Sequence, residues 1–410
     1  MRATLPYLLL VVLAMRNVGR NKTRSALALA AIACGVAGLI LSGGFVQDIL
    51  FQLGEALIHS QSGHVQIARA GYFDFGTRSP GKYLMSSDET QRLGNVPHVD
   101  EAMRRIAFSA LASNGRSSYP IVGEGIEAAK EAKLGTSLVL LQGRMLAPQD
   151  RYGALVGAGV ARALNLKPGS LISLVAPTIE GAMNTLDVEV VGVFQSFSKD
   201  YDDRVIKLSL GTAQELLNTQ GVNVVVLLLD ETRSTGAVVT TLKDRLAGLE
   251  LELRTWDWLN DFYWKAVALY DRQFGVLRLI VLLMVILAVV GAINVAVLER
   301  AGEFGTMRAL GNTSWDVGRL VMTEGLVLGM LGALLGVALG CVLAWIISAV
   351  GIPMPPPPNS NLEYTARIPL VPSVMGVAFL VGLLATLAAS VLPAFRVSRL
   401  PVIEALRRFV

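Results

Sequence analysis

Residues 276–350 read VLRLIVLLMVILAVVGAINVAVLERAGEFGTMRALGNTSWDVGRLVMTEGLVLGMLGALLGVALGCVLAWIISAV. Two long apolar segments flank a charged, helix-forming connector. At 1.5 Å per residue each apolar segment is long enough to cross a hydrocarbon core of about 30 Å. The connector is therefore held at one membrane face. It carries Glu299, Arg300, Glu303 and Arg308, with Arg319 just before the next span. Lys and Arg in short loops mark the cytoplasmic side, so the connector is expected there.

The rest of the composition agrees with a membrane protein. The chain has 410 residues, 53% of them hydrophobic, which is more than an ordinary soluble domain carries. The formal charge of +4 does not mark a nucleic-acid binder, because many basic residues flank apolar spans, where they set topology. Cys34 and Cys341 both fall inside apolar spans and give no disulfide framework. His59, His64 and His98 lie outside the spans without the spacing of a metal site.

The connector's residues also resemble a known pattern. Permease subunits of the MacB/LolCE/FtsX class of ABC transporters carry a charged ER-x-x-E-[FI]-G-x-x-[KR]-A-[LI]-G stretch between their second and third spans. Here Glu299, Arg300, Glu303, Phe304, Gly305, Arg308, Ala309, Leu310 and Gly311 match it. The resemblance implies that these residues couple the chain to a separate cytoplasmic ABC ATPase. Arg300, Glu303 and Arg308 would make charge-assisted contacts, and Phe304 would fill an apolar notch. ATP and Mg2+ would sit on that partner, with no cofactor or metal on this chain and no catalytic residue.

The start, MRATLPYLLLVVLAM, has the layout of a signal peptide, and hydropathy alone leaves cleavage open. The basic run RNVGRNKTRS follows, and it resembles the string that precedes the first span of these permeases, which favours an uncleaved interfacial helix over residues 4–22. The first span follows at 25–45 and is expected to continue as a stalk past Asp48 and Glu55, since no proline interrupts it.

The next roughly 220 residues change period. GHVQIARA, AFSALAS, SLISLVA, TLDVEVVGVF and VNVVVLLLD are β-rich runs bounded by turn residues. SDETQRLG, GAGVARALNL, GTAQELLN and TGAVVTTLKDRLAG have helical spacing. This predicts a mixed α/β domain outside the membrane. SGHVQIARAGY, GALVGAGVARALNLKPGSLISLV and TLDVEVVGVFQSF resemble the external domain of the same permeases, in the same order. LELRTWDWLNDFYWKAVALYDRQFG then leads into the second span without a proline, so stalk and span are expected to form one continuous helix. Its Trp256, Trp258, Tyr263, Trp264 and Tyr270 suit either the membrane interface or stalk packing.

Gly325, Gly329, Gly332, Gly336 and Gly340 recur at three and four along the third span, which predicts close packing on another span. Glu324 reads as an interfacial residue rather than a proton relay. GIPMPPPPNSNLEYTARIP predicts an extended external loop. The ending PAFRVSRLPVIEALRRFV, with Arg396, Arg399, Arg407 and Arg408, resembles the family's cytoplasmic tail, with Leu400 where Asp or Asn is usual.

Some motifs fail. GTRSPGKY at 76–83 ends in Tyr83, which cannot supply the compact hydroxyl of a phosphate loop. Gly157 to Gly159 lack a third glycine, Arg162 standing in its place, and no nucleophile elbow is present.

The expectation is an α-helical membrane protein with four transmembrane helices and a mixed α/β extracytoplasmic domain inserted between spans one and two. The segments are 1–24 interfacial helix, 25–48 first span, 49–270 external MacB-like domain, 271–298 second span and 299–319 coupling helix. Then come 320–350 third span, 351–370 external loop, 371–395 fourth span and 396–410 tail. The resemblance implies a non-catalytic permease subunit in the bacterial inner membrane, with both termini cytoplasmic and the large domain periplasmic. It implies as partners the ATPase, a second permease copy in a homodimer or heterodimer, membrane lipid and a periplasmic or outer-membrane protein. The cargo would be a lipoprotein, a lipid-like molecule or another amphiphile. An FtsX-like scaffold regulating a cell-wall hydrolase is the alternative, and no substrate-binding residue is assigned.

Overall fold

The computed structural model describes residues 7–20, 22–76, 80–86, 89–90, 96–246, 248–355 and 364–399. Several predicted features fall wholly or partly outside these residues: 4–6 and 21 of the interfacial helix, 77–79 of GTRSPGKY, most of the SDETQRLG helix, 356–363 of the external loop, and the tail from Leu400 with Arg407 and Arg408. The chain forms two compact units, one from 1–49, 266–353 and 365–410, the other from 50–265 and 354–364.

The first unit holds the apolar helices. Lys22–Leu57, Asp261–Glu299, Ser314–Val350 and Pro372–Ser398 are each long and apolar enough to cross a membrane. The second of these has 39 residues and so measures about 58 Å, well beyond a ~30 Å core. No break separates its stalk from its membrane part. A further helix, Tyr7–Arg20, precedes the first span.

The glycine stripe on the third span splits between two neighbours. A Cβ on Gly325 would lie 1.9 Å from Ser390 Oγ, and one on Gly329 would lie 3.1 Å from Thr386 Cβ, both on the fourth span. One on Gly332 would lie 2.8 Å from Ile32 Cβ, one on Gly336 would lie 2.9 Å from the Ala33 carbonyl oxygen, and one on Gly340 would lie 3.1 Å from Ile40, all on the first span. At Gly325, Gly332 and Gly336 a Cβ would force a neighbour to move, and at Gly329 and Gly340 it would crowd one. In lipid, where apolar surface gains nothing from leaving water, such close approach supplies the dispersion contacts that hold helices together.

The second unit is the α/β domain, and its strands fall between the first and second spans in the chain. They are β1 Val65–Arg69, β2 Val99–Ser113, β3 Ser118–Ile126, β4 Val139–Gly143 and β5 Gly153–Gly157. β6 Leu171–Pro177, β7 Met183–Gln195, β8 Val205–Ser209, β9 Val224–Leu229 and β10 Leu251–Thr255 follow. Their order is β10-β1-β9-β2-β3-β8-β5-β7-β4, with β6 pairing β2 and β7. Pairing is antiparallel except for β3 with β8 and β5 with β7.

Sequence dictates which strands are central. VVVLLL of β9 and GALVG of β5 are apolar throughout and buried throughout, as strands covered on both faces must be. Each fully buried Val or Leu contributes about 1.5–3 kcal/mol. β7 instead alternates in its middle, with Val188 and Val190 buried between exposed Asp187 and Glu189. Short helices pack against the sheet. Ser209 caps Leu210–Leu217 by accepting from the Thr212 amide, and Asn218 ends it in the left-handed region at φ 54°.

Two stretches differ from the expectation. LELRT forms strand β10 against β1 rather than the start of a stalk helix, because Leu251 and Leu253 pack with the β1 and β9 side chains. Residues 314–319 belong to the third-span helix rather than to the connector, because Thr313 and Asp316 form a capping box there.

Candidate functional site

The connector begins where the second-span helix stops. Arg300 leaves helical geometry at φ −98°, ψ 11°, and a short helix, Ala301–Ala309, follows. Gly311, at φ 101°, lies in the region that favours glycine, and it turns the chain toward the third span. Thr313 Oγ1 then accepts from the Asp316 amide at 3.2 Å while Asp316 Oδ2 accepts from the Thr313 amide at 2.9 Å.

The short helix has an inward and an outward side. Inward, Phe304 is only 3% exposed and packs in the membrane unit's core with Val297 and Val317. Gly305 and Ala301 are also buried. Arg300 is buried too, and its Nη1 donates to Glu324 at 2.7 and 3.0 Å while its Nε donates to Glu303 at 2.9 Å. Its guanidinium lies 5.1 Å from the Phe304 ring centre.

Burial works against the Arg300 charge, but Glu324 and Glu303 outweigh it and hold the proton more firmly than water does. Burial likewise disfavours the Glu303 charge, and hydrogen bonds from Arg300 and Arg20 overcome it, lowering that carboxyl's pKa. Both side chains stay ionised.

The basic run before the first span completes this network. Arg24 donates both its terminal nitrogens to Glu299, Arg20 pairs with Glu303, and Asn17 donates to Glu324 at 2.6 Å. Thus three residues from the chain's start close on three connector and third-span acids. The same run read in sequence as a topology signal is also a clasp. Its only sequence trace is the spacing of Asn17, Arg20 and Arg24 at three and four.

Outward, the connector offers a different set. Leu310 is 81% exposed and Trp315 67% exposed, with Arg319 stacked 5.3 Å from the Trp315 ring centre. Thr306, Ala309 and Gly311 are exposed around them, and Arg308 is half-buried. Of the nine predicted coupling residues, Phe304, Gly305 and Arg300 therefore turn into the chain, and Phe304 packs in the chain's own core. Trp315, outside the matched motif, was not predicted.

In the α/β domain the buried ionic groups gather at one place. Arg105 on β2 donates to Glu131 at 2.9 Å through Nε, and Lys207 on β8 lies 3.7 Å from the same carboxylate. Glu124 on β3 accepts from the Tyr201 hydroxyl at 2.7 Å. Two cations and two carboxylates balance. Sequence offered no warning of it. Among the described residues no group of His, Cys, Asp and Glu is arranged to hold a metal ion.

A bundle of apolar helices interrupted once by an α/β insert and once by a charged, clasped connector defines a membrane permease. Residues 25–245 match the MacB-like periplasmic core domain, and residues 275–402 match the FtsX-like permease C-terminal region. The chain belongs to this family, the ABC transporter permeases of the MacB/LolCE class.

Among its relatives is an uncharacterized ABC transporter permease of Methanocaldococcus jannaschii, 22% identical, with 97% of each chain covered. The lipoprotein-releasing system transmembrane protein LolC of Neisseria meningitidis is 24% identical over 78% of this chain and 77% of its own. The macrolide export ATP-binding/permease protein MacB of Hyphomonas neptunium is 24% identical over 97% of this chain and 60% of its own.

Proposed function

We propose that this permease converts ATP binding and hydrolysis by a separate cytoplasmic ABC ATPase into motion of its external domain, and so moves a lipoprotein, a lipid-like molecule or another amphiphile. The observation that carries this reading is the two-sided connector. Its inner side is pinned by the buried Arg300–Glu324 pair, and its outer side presents Leu310 and Trp315. An exposed tryptophan with an arginine stacked on it is the composition of an interface hot spot, and Leu310 adds exposed apolar surface five residues earlier in the chain.

The ATPase would bind ATP and Mg2+, dock on Leu310, Gly311 and Trp315, and push the connector as a unit with the clasp. Arg300 and Phe304 then transmit rather than contact. With the connector in the cytoplasm both termini are there too, the membrane is the inner membrane and the α/β domain is periplasmic. The second span leaves Leu277, Ile280, Met284, Leu287 and Leu298 exposed along one stripe, which suits a second permease copy. β4, with Val139, Leu140 and Leu141 all exposed at a sheet edge, offers apolar surface suited to an amphiphilic cargo or a periplasmic partner.

The test is purification of the tagged chain in mild detergent with mass spectrometry of what stays bound. An ATP-binding subunit with a lipoprotein or lipid-like species supports the proposal. An ATPase accompanied by a peptidoglycan hydrolase and no cargo replaces transport with FtsX-like signalling, and no ATPase overturns both.

A further inference from the structure

A polar joint sits at the root of the α/β domain. The first-span helix does not simply stop at Leu57. It passes into a π-helical turn, Ile58–Ser62, closed by the Gly63 amide donating to the Ile58 carbonyl at 3.0 Å. Such a turn is rare, and it leaves terminal carbonyls in need of partners. The Gln61 carbonyl finds one in Arg105, whose Nη1 donates to it at 2.7 Å.

The side chain of Gln61 reaches the other way. Its Nε2 donates to Asn260 Oδ1 at 2.6 Å, and Asn260 is the buried residue just before the second long helix, Asp261–Glu299. Asn260 Nδ2 donates in turn to the Trp256 carbonyl at 2.6 Å, which fixes which side of its amide is the acceptor. A second tie runs parallel. The Trp256 amide donates to the His64 carbonyl at 3.0 Å, and its ring covers Gly54, where a Cβ would lie 2.9 Å from Cη2.

On the far side of the same turn Glu55 accepts from the Thr232 hydroxyl at 2.5 Å. Thr232 contacts His64 Nε2 at 3.0 Å, and His64 Nδ1 accepts from the Leu229 amide of β9 at 3.1 Å. The end of the first stalk is thus held by two neighbouring strands, β2 through Arg105 and β9 through the Leu229 amide. The Arg105 tie is firm because its charge is already neutralised by Glu131 in a buried setting, where leaving either partner unpaired is costly.

We propose that Gln61 is a positioning residue that fastens the root of the first stalk to the root of the second and to β2, so that the two helices deliver displacement to the domain as one body. The proposal rests on the ATP-driven reading above. It predicts that the two stalk roots keep a constant separation through the nucleotide cycle, and that breaking the Gln61–Asn260 bond frees them.

The test uses the full chain with its ATPase in lipid nanodiscs, spin-labelled through Phe51→Cys and Lys265→Cys, both exposed positions. The expected wild-type distance distribution is narrow and identical in nucleotide-free and vanadate-trapped states. Gln61→Ala should widen it about twofold or make it nucleotide-dependent, and the pair Gln61→Lys with Asn260→Asp should narrow it again. ATP turnover should stay within about twofold throughout, which a merely folding-defective variant would not manage.

A wild-type distance that changes with nucleotide overturns the joint. So does a Gln61→Ala distribution matching wild type. If the chain binds no ATPase the transport reading falls, and the joint is then judged on the label distances alone, where widening in Gln61→Ala supports it and identity overturns it.

Discussion

Arg300 and Glu324 lie twenty-four residues apart in sequence, yet Nη1 of one sits 2.7 Å from Oε1 of the other, with side chains only 10% and 14% exposed. This pair ties the end of the second span to the third, and through Asn17 to the N-terminal helix. The connector therefore cannot shift without carrying all three.

Removing one half of this pair leaves the other buried and uncompensated. Glu324→Ala should destabilise the chain by about 3 kcal/mol, whereas Arg300→Met with Glu324→Leu should be nearly neutral. Thermal unfolding of the detergent-solubilised protein measures both. Equal loss in the single and double variants would show that the pair is not desolvated.

The outward residues should behave in the opposite way. Trp315→Ala and Leu310→Asp touch little of the chain itself and should change its stability by less than about 0.5 kcal/mol. Affinity for the ATPase should fall at least about tenfold, equivalent to 1.4 kcal/mol. Titration of purified ATPase onto nanodisc-held permease gives the number, and wild-type affinity in both variants would move the docking surface elsewhere.

The glycine stripe makes a steric prediction with an internal control. At Gly336 a Cβ would meet Val36 Cβ at 2.6 Å and the Ala33 backbone oxygen at 2.9 Å, whereas at Gly376 nothing lies within 4 Å. Gly336→Ala should cost about 1–3 kcal/mol by forcing the first and third spans apart. Gly376→Ala should be neutral or slightly stabilising, since alanine favours helix. Resistance to unfolding in mixed micelles distinguishes them.

Acid should loosen the domain's root. Burial lowers the His64 pKa from its ordinary 6.5 to about 4, with His59 adding to the effect. A folded value below the unfolded one means that stability is intact above pH 6.5 and is lost as the pH falls toward 4. From about pH 7.5 to about pH 5 the loss should be about 2 kcal/mol. Melting curves of wild type and His64→Gln should converge as acid is added, and a constant gap would rule out this titration.

The legible parts of this chain were those written in local periodicity. Apolar length marked the spans, and the run VNVVVLLLD marked β9 because a strand buried on both faces has no polar positions to alternate with. The glycines announced close packing, but two partners share the stripe, and a one-dimensional spacing carries no partner's name. The connector motif was plain while its two sides were not, because three residues of nine turn inward only once Glu324 and the N-terminal clasp are in place. LELRT was misread because a stalk helix and a paired edge strand differ in what lies beside them. Lys207 stands between Ile206 and Leu208 and Arg105 between Arg104 and Ile106, and only the meeting of β2, β3, β8 and the helix Ala128–Leu134 brings them carboxylates.

The insert is seated on its helices through two roots that touch: Gly54 lies under Trp256, and Gln61 is bonded to Asn260. Some two hundred residues thus leave and rejoin the helices at a single socket. A module with adjacent ends can be exchanged for another without re-threading what holds it. A different α/β module grafted at that socket would accordingly leave the apolar helices with the same chain path and the same register among themselves.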